Sequence, residues 1–309
     1  MKRKLMLVAV GILGAALLCA QTRTAEEYES RYNTLVKNVG SNGVGVETLL
    51  DNWEKDYPSS VTMMEAKFVF WFTKAQSTEA VVMDRDKYLG QKPLVSLRDS
   101  LGNPVNYFQV TTFDDDMFSS AITYIDKAIR QEPERLDLRQ AKVSALISYE
   151  RESPDMAASE LRSLIDYDAS QKPAWTYAGV GKVDEEYFDG IIQEECFVFF
   201  SYGESACYEA FRSISERMLE YDPKNVLFLD NIGSYYLVCR KDSATALSYY
   251  KKVLKIKPDD YTAIKNIVLL ARNSGDEKLE KKYLPLLIKY TDDEVERLRE
   301  QGRLDRLNG

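Results

Sequence analysis

An all-α chain of stacked helix pairs, interrupted by a small β-hairpin, is the architecture this sequence predicts. Three observations carry it. Apolar residues recur at helical spacing along most of the 309 residues. Four X-Pro steps, Tyr57-Pro58, Glu132-Pro133, Asp222-Pro223 and Lys257-Pro258, each follow an amphipathic segment. Proline cannot continue a helix, and it pushes the residue before it out of the α region. Third, Asn225–Asp260 holds two amphipathic patterns around a polar turn, Arg240–Ser243. Small and large residues stand there where two helices must interlock. Gly233 permits close approach, Tyr236 fills the gap, Ala246 is a second small contact, and Tyr250 and Val253 form the inner face.

The pairs follow in order. Ala25–Val39 and Val46–Asp56 are joined by the glycine-rich turn Gly40–Gly45. Val61–Ala75 and Asp116–Gln131 form the second pair around a long insertion, with Ala121, Ile125 and Ala128 as the interlocking face. Glu134–Glu150 and Asp155–Tyr167 form the third, where Pro154 suits a helix start. Glu185–Ser201 and Ser205–Tyr221 form the fourth, and the Asn225–Asp260 unit is the fifth. Tyr261–Asn273 and Asp276–Tyr290 form the sixth around Ser274-Gly275, with Pro285 expected to kink its second helix. Residues 292–307 read as a charged helix capping the open end, since a repeat array needs a polar outer face. The aromatic runs Phe68–Phe72 and Phe197–Phe200 read as first helices buried on both flanks, ahead of a ligand stripe.

The small–aromatic–small–aromatic–proline order of the fifth unit resembles a tetratricopeptide (TPR) repeat of about 34 residues. The match is good there, partial in the second, fourth and sixth units, and rests on helix periodicity elsewhere. The resemblance implies a right-handed superhelical solenoid whose first helices line a concave, partner-binding face. Carried onto this sequence, it points to Asn231, Ser234, Tyr235 and Val238 as lining positions. No basic clamp for a C-terminal carboxylate is present among them. The implied role is a protein–protein interaction module or scaffold with a protein or peptide partner.

Two insertions break the rhythm. In residues 78–113, Lys92–Arg98 and Val105–Phe113 alternate apolar and polar residues around the turn formers Asp99–Pro104. They predict a β-hairpin packed through Val95, Leu97, Val105, Tyr107 and Phe108. Residues 168–184 carry Trp175 and Tyr177 beside Gly179 and Gly181. Either insertion braces the neighbouring helices or binds a partner. The alternative function uses Trp175, Tyr177 and Tyr107 as an exposed stacking platform for an envelope glycan or small molecule.

Catalytic readings are poorly supported. The chain contains no histidine, which removes Ser–His–Asp and Cys–His catalysis and histidine zinc ligands. Gly179-Val180-Gly181-Lys182 lacks phosphate-loop spacing, and Val183 stands where Ser or Thr is needed. Asp114-Asp115-Asp116 reads as a helix N-cap, since calcium would need spaced oxygen ligands. Glu185-Glu186 and Glu194-Glu195 read as solvated helix faces ahead of glycosidase acids. No enzyme activity, cofactor or metal is expected.

The N-terminus reads as a secretory signal over residues 1–20. Lys2, Arg3 and Lys4 precede the apolar run Leu5–Leu18, and Ala20 is the small residue before Gln21. An uncleaved anchor and lipidation at Cys19 are the alternatives, although Leu18 is large for lipoprotein processing. The expected location is periplasmic, with residues 21–309 as the repeat domain. Beyond the signal the side-chain charge is −11, from 49 acidic residues against 41 basic less three. That balance argues against nucleic acid or anionic lipid as partner, and no further segment is long enough to span a membrane. Cys196, Cys207 and Cys239 remain. A Cys196–Cys207 bridge is sterically conceivable, and small buried side chains in helix contacts are the simpler reading.

Overall fold

A computed structural model describes residues 23–309. The segment expected to be a secretory signal, with Cys19, lies outside the described residues.

The X-Pro steps set the junctions between repeats. At Tyr57, Glu132, Asp222 and Lys257 the helix stops with φ between −136° and −125° and ψ between 65° and 90°. Three residues on, the N–H groups of Ser60, Arg135, Asn225 and Asp260 return to those four carbonyls, each at 3.1 Å. Each returning residue is the N-cap of the next helix. One turn geometry is thus repeated four times.

Those four junctions, with the second insertion between α6 and α7, separate six helix pairs among the described residues: α1 (Ala25–Val39) with α2 (Val46–Asp56), α3 (Val61–Ala75) with α4 (Asp115–Gln131), α5 (Leu136–Glu150) with α6 (Asp155–Gln171), α7 (Glu185–Tyr202) with α8 (Ser205–Tyr221), α9 (Val226–Tyr235) with α10 (Ser243–Ile256), and α11 (Tyr261–Ser274) with α12 (Glu277–Tyr290). A last helix, α13 (Glu294–Asn308), packs on α12. Successive helices touch in chain order except across the second insertion, where α5 touches α7 and α6 touches α8; α9 also touches α11. Contact restricted to neighbouring pairs is the signature of a solenoid. Helix α12 runs through Pro285 without interruption.

The fifth pair interlocks as its residues require. A Cβ on Gly233 would lie 2.6 Å from the Tyr250 ring, so only glycine lets α9 and α10 meet there. Ala246, Tyr250 and Val253 are fully buried. The first helix differs from expectation at its end, where Tyr236–Arg240 form a π-helical turn closed by Lys241 in the left-handed region. Helix α6 is longer than expected, taking in Asp168–Gln171 before its left-handed C-cap at Lys172.

The first insertion is a three-stranded antiparallel sheet rather than a hairpin alone. Strands β2 (Val95–Arg98) and β3 (Pro104–Phe113) pair as expected, and β1 (Gln76–Met83) adds to the other edge of β3. In register, Val82 and Val95 both oppose Tyr107, and Val81 opposes Phe108. Side chains alternate across a sheet, so one face buries Phe108 with Tyr88 and Leu89 against Tyr202. The other face leaves Val95 and Leu97 49% and 53% exposed, correcting their expected packing role; Val105 and Tyr107 are half-buried. Gly90, at φ +76°, sits where a Cβ would lie 2.1 Å from the Ser201 carbonyl. That approach and the Arg85–Glu204 ion pair tie the insertion to the fourth pair. The second insertion is a minimal hairpin, β4 (Thr176–Tyr177) with β5 (Gly181–Lys182).

Phe70 and Phe199 of the aromatic runs are buried, while Val69 and Phe197 are 39% and 53% exposed. Asp114 caps α4 by accepting from the Met117 N–H, and Asp115 accepts the Tyr149 hydroxyl. The described cysteines are free thiols: Cys196 and Cys207 are buried, and Cys239 is half-buried. No described helix is long and apolar enough to cross a membrane.

Candidate functional site

The N-caps define one register along the first helices. Nine residues after Thr24, Ser60, Arg135, Asp184, Asn225 and Asp260 stand Asn33, Val69, Ser144, Gln193, Ser234 and Leu269. None of the six is buried, whereas in α3, α7, α9 and α11 the two residues before each are buried. A solenoid presents equivalent positions along one surface.

Of the residues expected to line that surface, Ser234 is half-buried, with its hydroxyl 3.3 Å from the Tyr250 hydroxyl, and Val238 is 44% exposed in the π-helical turn. Asn231 and Tyr235 are only 5% and 3% exposed, which corrects their solvent-facing placement. Asn231 exchanges two hydrogen bonds with Gln193, at 3.0 and 2.6 Å, and donates to the Ser215 hydroxyl. It joins α9 to α7 and α8. Tyr235 donates its hydroxyl to Glu209 on α8. Both side chains are used in packing one pair on the next.

Trp175 is also an internal anchor. It is 4% exposed, stacks on Phe188 at 5.7 Å, and donates its indole N–H to Asp168 at 2.7 Å. Arg139 lies 5.5 Å from its ring centre. Burial removes it from the expected exposed glycan platform. Tyr107 sits in the other insertion and does not complete one.

Tyr177 leads to a cluster that the sequence did not identify. It packs edge-on against Tyr187 at 5.3 Å and donates to Gln140 Oε1 at 2.8 Å. That bond uses the Gln140 carbonyl and turns its amide group toward α7. Gln140 Nε2 then donates to Glu195 Oε1 at 3.0 Å and, more weakly, to Glu194 Oε2 at 3.3 Å. Ser144 donates to the same Glu195 oxygen at 2.8 Å. Glu194 is exposed, and Glu195 is 5% exposed. Burial pushes the Glu195 carboxyl above its ordinary range, the Ser144 and Gln140 bonds oppose this, and the Glu194 charge adds to it. The Tyr177 hydroxyl is also raised, first by burial and then by Tyr187, Asp137, Glu194 and Glu195.

An acidic cavity, about 500 Å³, lies beside Trp175, with Phe188 and Met218 in its wall and Asp168, Asp184, Glu185, Asp189 and Asp222 around it. Asp189 is pushed up to about 6, mainly by burial, while Asn225 donates to it at 2.6 Å. No group of three or more potential metal ligands occurs among the described residues.

No protein-family model and no curated protein matches this chain. Among solved structures, the C-terminal part of a TPR repeat-containing protein from Cytophaga hutchinsonii is similar over 91% of this chain and 89% of that one, at 10% identity and a TM-score of 0.48. Pseudomonas aeruginosa pilF is similar over 61% of this chain and 76% of its own, at 16% identity and 0.40. YrrB, described as a TPR protein with an unusual peptide-binding site, is similar over 79% and 91%, at 16% identity and 0.36. At these values the likenesses carry no argument about function, and the repeat architecture stands on the junctions and helix contacts above.

Proposed function

We propose that this chain is an exported interaction module of the cell envelope, receiving a protein or peptide partner on the face formed by its first helices. The observation that carries the reading is the row Asn33, Val69, Ser144, Gln193, Ser234 and Leu269, none of them buried at one register of successive first helices. Such a row offers a long partner several contacts without any enclosed pocket, and a few anchors then dominate affinity. Export rests on the basic, apolar and small-residue order of the first 20 residues.

The test is in-cell cross-linking of tagged protein, with mass spectrometry of what co-purifies from the envelope. The reading expects one enriched protein, cross-linked through α5, α7 or α9. Intact protein in the envelope with nothing enriched would overturn it, and intact protein retained in the cytoplasm would overturn the exported part.

A further inference from the structure

We propose that Glu194 and Glu195 form the seat for a lysine or arginine side chain of the protein partner, with Tyr177 and Tyr187 as its aromatic wall. This rests on the reading above that the partner is a protein.

Two carboxylates converge there on a single amide group, Gln140 Nε2, and neither forms an ion pair among the described residues. Holding like charges together without a cation is unfavourable, and a buried charge ordinarily has a partner. Glu195 has hydrogen bonds on one oxygen only. Its Oε1 takes both the Ser144 and Gln140 bonds, and Oε2 takes none. The buried side-chain atoms left without a partner among the described residues are Trp53 Nε1 and Asp230 Oδ1. Glu195 Oε2 is not one of them, so this unpartnered oxygen keeps some contact with solvent although its residue is only 5% exposed, and the neighbouring Glu194 is exposed.

The remaining groups fit an organic cation. The Tyr177–Gln140 bond fixes the amide so that it cannot offer its carbonyl in place of its N–H groups. Paired carboxylates match a guanidinium or ammonium group, and tyrosine faces attract one further. Among the described residues no third cysteine or carboxylate joins the two glutamates, which favours this occupant over a metal ion.

The test uses the full mature chain and a fluorescein-labelled heptapeptide alternating glycine and lysine, with its glutamate counterpart as control, read by anisotropy. The wild type should bind the lysine peptide and not the glutamate one. Glu194→Gln with Glu195→Gln should weaken binding roughly tenfold or more. Glu26→Gln with Glu29→Gln removes the same charge from α1 and should change it by less than about twofold. Circular dichroism melts establish that each variant is folded. Equal weakening by the two double variants, or no lysine-peptide binding by the wild type, would overturn the seat. Envelope capture separates the two readings. A partner retained at full yield by Glu194→Gln/Glu195→Gln ends the seat and leaves the protein-partner reading standing. No partner with either chain ends the protein-partner reading itself.

Discussion

Among the described residues four glutamates are almost fully buried, and they divide by region. At the C-terminal end, Glu280, Glu296 and Glu300 are 1–4% exposed and each meets cations: Arg272 and Arg303, Lys265 and Arg299, and Arg272 and Arg299 respectively. In the fourth pair, Glu195 is as deeply placed and meets only Ser144 and Gln140. The first three clamp α13 to α11 and α12. Their carboxyls are held low: Glu280 first by the Arg303 bond, and Glu300 by its arginines against burial. At Glu296 burial also opposes, but the Thr291, Tyr261 and Lys265 bonds hold it at about 2. Glu195 goes the other way. A paired buried charge serves the fold, whereas an unpaired one costs stability, and at Glu195 that cost fits the proposed seat for a partner's cation.

The largest expected effect comes from breaking the paired side. Arg272→Ala leaves Glu280 and Glu300 short of a cation and should cost about 3 kcal/mol. Hydrogen exchange should show the loss concentrated in α11–α13. Equal protection of that region in both chains would remove the clamp from the account.

Gly233→Ala comes next. A methyl 2.6 Å from the Tyr250 ring must push α9 from α10, which should cost about 1–3 kcal/mol. Alanine's helix preference would otherwise favour the change by about 1 kcal/mol. A raised melting temperature would contradict the interlock.

Acid sharpens the contrast by sign. Glu296 drops from 4.5 to about 2 in the fold, so its contribution is present above pH 4.5 and lost as pH falls through 2. Asp230 does the opposite. It rises from 3.8 to about 8, first by burial and then through Asp260, with Lys257 opposing. The other titratable group it faces is Tyr250. Its stability is full below pH 3.8 and lost as pH rises through 8. Asp230→Asn should therefore melt higher than wild type at pH 9 and match it near pH 4. Coincident melts at pH 9 would show that Asp230 is not so perturbed.

The smallest effect belongs to Trp175→Phe. It removes the N–H donated to Asp168 but keeps a ring against Phe188, and should cost about 1 kcal/mol. A loss of partner capture without a change in melting would favour the partner-binding alternative for Trp175 over the bracing one.

The helix pairs were legible because proline acts locally: each X-Pro step fixes its own carbonyl and the next N-cap. Strand β1 was not, because Gln76–Met83 follows α3 with no glycine or proline and takes its partner about thirty residues away. The π-helical turn was equally hidden within an ordinary apolar pattern. At the site, Tyr177 was legible as an aromatic in an insertion. Asn231 and Tyr235 were misplaced because their partners come from another helix pair. Glu194-Glu195 read as a solvated face for the same reason. Their meaning depends on Gln140 and Ser144, some fifty residues earlier, and no spacing rule connects them.

The central claim is that Glu195 serves a partner whereas Glu280 serves the fold. The measurement is a pair of thermal melts at neutral pH, Glu195→Gln beside Glu280→Gln. Glutamine keeps an acceptor for Ser144 and Gln140 and removes only an uncompensated charge, so Glu195→Gln should melt at or above the wild type. Glu280→Gln strips two arginines of their carboxylate and should melt several degrees lower. Equal losses in the two variants would make Glu195 another structural brace and contradict the account.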